Sequence, residues 1–170
     1  MKKTLLALAA GASLWASHVR ATPIPTDGSW HSFTFHGEGE PFAYEPFTFT
    51  LDTTALLTVT DLYLSGDRLA IYNNGVLLGL TSMPQGGIDD YVGSYDMALL
   101  DPRWSSASWQ IGPGSYSITG TAVLSPWGVG AGGIRVITGA VPEADAALAF
   151  GLGAGVIGLV LRRWSARAEG

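Results

Sequence analysis

The sequence predicts an all-β protein: a single β-sandwich or jelly-roll-like ectodomain over residues 22–140, set between an N-terminal signal-peptide helix and a C-terminal transmembrane helix. Three observations predict it. Apolar and polar residues alternate with a period of two through the middle of the chain, turn residues interrupt that stretch at roughly 8–12-residue spacing, and unbroken apolar runs are confined to the two ends.

The N-terminus comes first. Lys2 and Lys3 provide a positive start, residues 5–16 form an uninterrupted, weakly apolar run, and Val19-Arg20-Ala21 places small or tolerated residues before a cleavage between Ala21 and Thr22. Cleavage after Ala16 is the second choice. An uncleaved anchor is the alternative, although twelve apolar residues are short for a membrane span.

The strands follow. His31, Phe33 and Phe35 point one way, and Trp30, Ser32, Thr34 and His36 the other. Phe47, Phe49 and Leu51 alternate with Thr48 and Thr50, and Leu57 and Val59 with Thr58 and Thr60. Leu69 and Ile71 lead into Asn73-Asn74-Gly75, and residues 76–80 lead back out. Asn-Gly between apolar runs predicts a hairpin, because both central residues of a type I′ turn need positive φ. Trp109 and Ile111, then Pro113-Gly114, then Tyr116, Ile118 and Ala122 predict a second hairpin. Residues 128–133 are Gly-rich and read as a flexible stretch before a short last strand at 134–137. That makes about eight strands, with no helical period between the termini.

At the C-terminus, Val141-Pro142-Glu143-Ala144-Asp145 is followed by sixteen apolar or Gly residues at 146–161, then Arg162, Arg163, Trp164 and Arg167. Sixteen helical residues reach about 24 Å, just short of a hydrocarbon core of about 30 Å, and Trp164 with the neighbouring arginines extends that reach by snorkelling at the interface. Arginines after the span place the tail in the cytoplasm and residues 22–140 outside. A buried core helix is the other reading, disfavoured by the lack of any polar face.

Composition narrows the functional classes. Of 170 residues, 47% are hydrophobic and 14% charged, which excludes a disordered polyelectrolyte. Residues 22–140 hold Arg68, Arg103 and Arg135 against eleven acids, a net −8 that repels phosphate backbones and excludes nucleic acid as a partner. With no cysteine there is no disulfide, thiolate metal site or Cys nucleophile.

The motif Val141-Pro142-Glu143-Ala144, the Gly- and Leu-rich span and the basic stop of Arg162, Arg163 and Arg167 together resemble the PEP-CTERM sorting signal of Gram-negative bacteria. Ala144 stands where the family pattern has Pro, in a form similar to a known variant of the signal. The resemblance covers residues 141–167, divided into a motif at 141–145, a helix at 146–161 and a basic tail at 162–167. It implies an exosortase substrate that passes through the secretion machinery, pauses in the inner membrane and ends in the envelope or matrix of an exopolysaccharide-producing cell. Residues 66–75 with 78–82 are similar to a segment recurring in ectodomains of such proteins, and that segment carries no known active site.

Little in the middle of the chain points to catalysis. His31 and His36 are five apart, on opposite faces of one strand, and ligate one ion only if a bulge intervenes. No Gly-x-Ser-x-Gly elbow occurs, Gly112-Pro113-Gly114-Ser115 lacks the Lys of a phosphate loop, and no helix follows residues 128–133 as a dinucleotide site requires. The sequence therefore predicts no catalytic residue, no cofactor and no metal site beyond a weak calcium candidate. Glu38, Glu40 and Glu45 form one acidic loop, and Asp89, Asp90, Asp96 and Asp101 another. Asp89, Asp90 and Asp96 are the calcium candidates, with a solvated acidic loop or a glycosidase pair as alternatives. Tyr91, Tyr95 and Trp104 are the candidate glycan patch, because pyranose faces stack on exposed aromatic rings; core packing is the alternative. The leading expectation is a non-enzymatic structural or adhesive matrix protein. The alternative is a glycan-binding module for exopolysaccharide, and the third reading a glycoside hydrolase.

Overall fold

The computed structural model describes residues 21–42 and 46–139. The expected signal peptide (save Ala21), the sorting motif, the membrane span and the basic tail lie outside the described residues, as do Tyr44 and Glu45. Among the described residues no helix is long and apolar enough to cross a membrane.

Among the described residues ten strands and one short helix run in the order β1 (Thr22–Pro23), β2 (His31–Phe35), β3 (Phe47–Leu51), β4 (Ala55–Leu64), β5 (Arg68–Asn73), β6 (Val76–Leu80), β7 (Tyr91–Val92), α1 (Tyr95–Leu100), β8 (Ser106–Ile111), β9 (Gly114–Leu124) and β10 (Gly130–Thr138). One sheet has the order β1-β3-β9-β5-β6. The other runs β2-β10-β4-β7, with β8 also paired to β4. All described pairings are antiparallel except β1 with β3.

The alternating residues explain the layering. Phe33 and Phe35 on β2, Leu57 and Val59 on β4, and Ile134 and Val136 on β10 meet Phe47, Leu69, Ile71 and Ile118 from the other sheet in one buried cluster. Phe42 joins them, its ring stacked on Phe33 with centroids 3.9 Å apart. Each such side chain contributes about 1.5–3 kcal/mol by leaving water. The all-β sandwich expected from the sequence is the fold found.

The Asn74-Gly75 hairpin is also found. Asn74 has φ 50° and Gly75 φ 78°, the pair of positive angles a type I′ turn requires, and Asn73 pairs with Val76.

Other expectations need correction. Pro113-Gly114 does not close a hairpin: β8 pairs with β4 in one sheet, whereas β9 lies between β3 and β5 in the other. The turn is a corner between layers. Residues 130–133 are not a flexible stretch but the start of β10, and their glycines answer to neighbouring rings. A Cβ on Gly130 lands 2.1 Å from Phe35, one on Gly132 lands 2.4 Å from Phe33, and one on Gly133 lands 2.5 Å from Tyr95. Finally, α1 falls in the stretch expected to be loop. Six residues are too few to show a helical period; the helix packs against β4 and buries Ala98.

Candidate functional site

At one end of the second sheet β2 gives way to His36, β10 begins at Gly130 and β4 ends at Leu62–Leu64. A groove of about 390 Å³ opens there, lined by Thr34, Phe35, His36, Leu62, Tyr63, Leu64, Asp67, Val129, Gly130 and Ala131. Its walls are mostly apolar, with His36 exposed and Asp67 only 1% exposed.

Tyr63 shapes the rim. Its φ is 68°, a left-handed conformation that is costly for a bulky residue, and it interrupts the alternation of β4. The consequence is a ring that remains 45% exposed at the end of a strand buried along most of its length. Two contacts hold it. Trp104 Nε1 donates to the Tyr63 carbonyl oxygen at 3.1 Å, and Tyr91, brought alongside by the β4–β7 ladder, stacks on the Tyr63 ring with centroids 5.7 Å apart and planes 14° apart. Tyr91 is 68% exposed.

The acids at this end are unusual. Asp67 lies against β10, where a Cβ on Gly130 comes within 2.3 Å of its Oδ2. Burial pushes the Asp67 carboxyl up to about 6. Asp61, fully buried, is pushed up to about 9, first by burial and then by the charge of Asp67.

The expected glycan patch is divided. Tyr91 stands on the groove rim. Tyr95 is half-buried on α1, stacked on Trp30 at 4.9 Å, and burial raises its phenol above the ordinary range. Trp104 is 3% exposed and offers no face to a sugar, which corrects its assignment: its part is to hold Tyr63.

The expected calcium carboxylates are divided as well. Asp90 pairs with Arg103 at 2.8 Å. Asp96 accepts from Arg135 at 3.0 Å and from Trp30 Nε1 at 3.2 Å, with the Arg135 guanidinium 4.4 Å from the Trp30 ring centre. Asp89 is exposed. Among the described residues no group of three or more His, Asp or Glu side chains is placed to hold a metal ion, so the Asp89, Asp90 and Asp96 side chains do not form one. Asp101 is bound by Arg103, whose hydrogen bonds hold its carboxyl below the ordinary range. His31 and His36 stand apart, His36 on the groove and His31 with its Nε2 buried.

Sequence reasoning missed Tyr63, Val129 and the pair Asp61–Asp67. A carboxylate inside the run Thr58-Val59-Thr60-Asp61-Leu62 was the available signal, because charges are rare in the middle of a strand that is apolar on both sides.

No family model and no curated protein matches the chain. Among solved structures it is similar to the pre-peptidase C-terminal domain of a collagenase from Bacillus anthracis, at 13% identity, covering 69% of this chain and 94% of that one, with a TM-score of 0.39. It is also similar to the C-terminal CBM6 of LamC, a marine laminarinase from Zobellia galactanivorans, at 17% identity, 60% and 75% coverage and a TM-score of 0.37. A carbohydrate-binding module of lichenase 5A from Cellvibrio mixtus, in complex with cellotriose, matches at 16% identity, 67% and 73% coverage and a TM-score of 0.28. Likenesses this distant carry no functional argument.

Proposed function

We propose that this chain is an exported, non-catalytic β-sandwich that binds neutral glycan chains at its end groove. The observation that carries the reading is the solvent-facing Tyr63–Tyr91 stack on the rim, held from behind by a buried Trp104. Aromatic rings take the C–H faces of pyranoses, and a groove of about 390 Å³ falls within the usual range for small-ligand sites. His36 and Thr34 supply the polar contacts at its edge. The net −8 over residues 22–140 disfavours uronic or sulfated polymers, which is why the proposal specifies a neutral chain. Asp67 is the one carboxylate among the described residues lining the groove, and a glycosidase needs two flanking the scissile bond, so binding is favoured over hydrolysis.

The route to the envelope is the second half of the proposal. It is supported by the order of motif, span and basic tail at residues 141–167, which resembles the sorting signal of exosortase substrates. The glycan reading is tested by affinity electrophoresis through gels containing neutral β-glucans or exopolysaccharide. The wild type is retarded, Tyr63→Ala and Tyr91→Ala weaken binding about tenfold or more, and Leu77→Ala on the exposed β6 edge leaves it unchanged. Equal mobility of all four proteins in every polymer ends the glycan reading and leaves a structural matrix role.

A further inference from the structure

Trp127 lies in the loop between β9 and β10, two residues before Val129, which lines the groove. Its side chain is 42% exposed. Among the described residues it is the one exposed tryptophan: Trp104 is buried, and Trp30 and Trp109 are half-buried. A ring of that size left in water forgoes the burial that stabilises its counterparts, and such rings are enriched where proteins meet ligands.

The ring is anchored. Trp127 Nε1 donates to the Ile88 carbonyl oxygen at 2.5 Å. Ile88 is itself fixed, because its side chain and Pro126 close over Gly66, where an added Cβ would lie 3.2 Å from Ile88 Cγ2 and 3.3 Å from Pro126 Cγ. On either side of Ile88, the Gly87 carbonyl accepts from Ser65 Oγ at 2.8 Å and the Asp90 carbonyl from the Ser65 N–H at 3.0 Å. The polar edge of the indole is therefore satisfied within the protein, and apolar ring surface is what remains for solvent. Anchoring restricts the ring before any ligand arrives, which lowers the cost of binding.

The loop that anchors Trp127 also carries the rim. Three positions after Ile88 comes Tyr91, whose ring stacks on Tyr63. Three residues span at most about 11 Å when fully extended, so the backbone that holds Trp127 and the backbone that carries Tyr91 are within reach of one short oligosaccharide. Val129, two residues from Trp127, and Tyr63, stacked on Tyr91, both line the groove, so one opening borders both aromatic sites.

We propose that Trp127 is a second stacking platform of the end groove, and that the ligand is a stretch of several units of a neutral polysaccharide laid across both aromatic sites rather than a single sugar. Its role rests on the glycan reading of the groove and adds to it a preference for chain length. A short ligand engages one platform at a time. A ligand long enough to reach both makes the second contact intramolecular and gains affinity without any new surface.

The test titrates the purified chain by calorimetry with the neutral β-glucan that retards it in gels, and with oligosaccharides cut from that polymer, from disaccharide to hexasaccharide. Wild-type affinity should rise with length until both platforms are covered. Trp127→Ala should bind the disaccharide as wild type does and lose about tenfold on the hexasaccharide, whereas Tyr91→Ala weakens both. Trp127→Phe, which keeps a ring without the bond to Ile88, should lose less than Trp127→Ala. Equal binding of every length by wild type and Trp127→Ala overturns the second platform and leaves the Tyr63–Tyr91 rim standing. Proportional loss at every length in Trp127→Ala overturns it too, by making Trp127 a support of the rim. A wild type that binds no polymer and no oligosaccharide overturns the glycan reading and the platform together.

Discussion

Trp104 Nε1 donates a hydrogen bond to the carbonyl oxygen of Tyr63, 41 positions away in the chain, at 3.1 Å. One partner is buried in the sandwich and the other carries an exposed ring on a left-handed backbone. The bond therefore couples the packing of the core to the shape of the groove rim. Removing the donor while keeping a ring tests that coupling. Trp104→Phe leaves the Tyr63 carbonyl without this partner and should cost about 1–3 kcal/mol in a denaturant melt. Retardation in glycan gels should weaken along with it, since the bond helps to fix the backbone that carries the Tyr63 ring. A variant that melts lower but binds glycan normally would separate the two roles and confine Trp104 to the core.

The hairpin gives a cleaner measurement. Gly75 has φ 78° and open space around its Cβ position, so a substitution there meets no steric neighbour and reports the backbone alone. Gly75→Val should destabilise the fold by about 1 kcal/mol or more, because a β-branched residue resists positive φ. Gly112→Ala is the control: its Cβ also meets nothing, and its φ is not positive. It should melt within about 0.5 kcal/mol of wild type.

What could be read in the sequence was local. Asn74-Gly75 dictates its own turn, and Phe47-Thr48-Phe49-Thr50-Leu51 dictates which side faces the core. The strand to which a segment pairs is not written in its neighbours. Pro113-Gly114 signals a turn equally well for a hairpin and for a corner between sheets, and only the competition of β3, β5 and β4 for partners decides. The glycines of β10 look like a linker until the rings of Phe33 and Phe35 are placed over them. The groove was missed for the same reason. Its rim depends on Tyr63 leaving the extended conformation, and on a Trp that composition alone cannot assign to core or surface.

Those β10 glycines carry a stability prediction of their own. A Cβ on Gly132 falls 2.4 Å from the Phe33 ring and 2.6 Å from the Thr60 backbone oxygen. The ring can shift, but the carbonyl belongs to a strand paired on both sides. Gly132→Ala should cost about 1–3 kcal/mol, well beyond an ordinary strand Gly→Ala change. A stabilised Gly132→Ala would mean that β10 sits farther from β2 than the register indicates.

The two buried acids, Asp61 and Asp67, make stability depend on pH. Asp61 is raised to about 9 and Asp67 to about 6, from an ordinary 3.8, so both bind protons more tightly folded than unfolded. Their contribution to stability is full below about pH 4 and is lost as pH rises through 6 and then 9. The melting temperature should fall between pH 5 and pH 8. Asp61→Asn should flatten the decline above about pH 6. His36 on the groove and Glu38 beside Ser125 are the neighbouring ionisable side chains. A melting temperature that rises from pH 5 to pH 8 would show that these carboxylates are stabilised as anions by some other group.

The sorting proposal makes the last prediction. On that proposal three parts act together: the apolar run at 146–161 would halt translocation, Arg162 and Arg163 would keep the tail in the cytoplasm, and Val141-Pro142-Glu143 would offer the scissile segment outside the bilayer. Moving either arginine into hydrocarbon costs about 2.5–3.5 kcal/mol, enough to fix orientation. On that proposal Pro142 matters because a proline disfavours helix at the residue before it, which would leave the segment open to a protease. In a host with an exosortase, the wild type should lose its C-terminal peptide near Pro142, while Pro142→Ala and Glu143→Ala accumulate uncut in the membrane fraction. All three should share one mature N-terminus at Thr22, the first residue of β1, because signal cleavage occurs upstream of the sorting step. If wild type keeps Gly170 in a competent host, or both variants are cut normally, the tail is a plain anchor. The sandwich would then meet glycan while tethered to the inner membrane rather than released into the matrix.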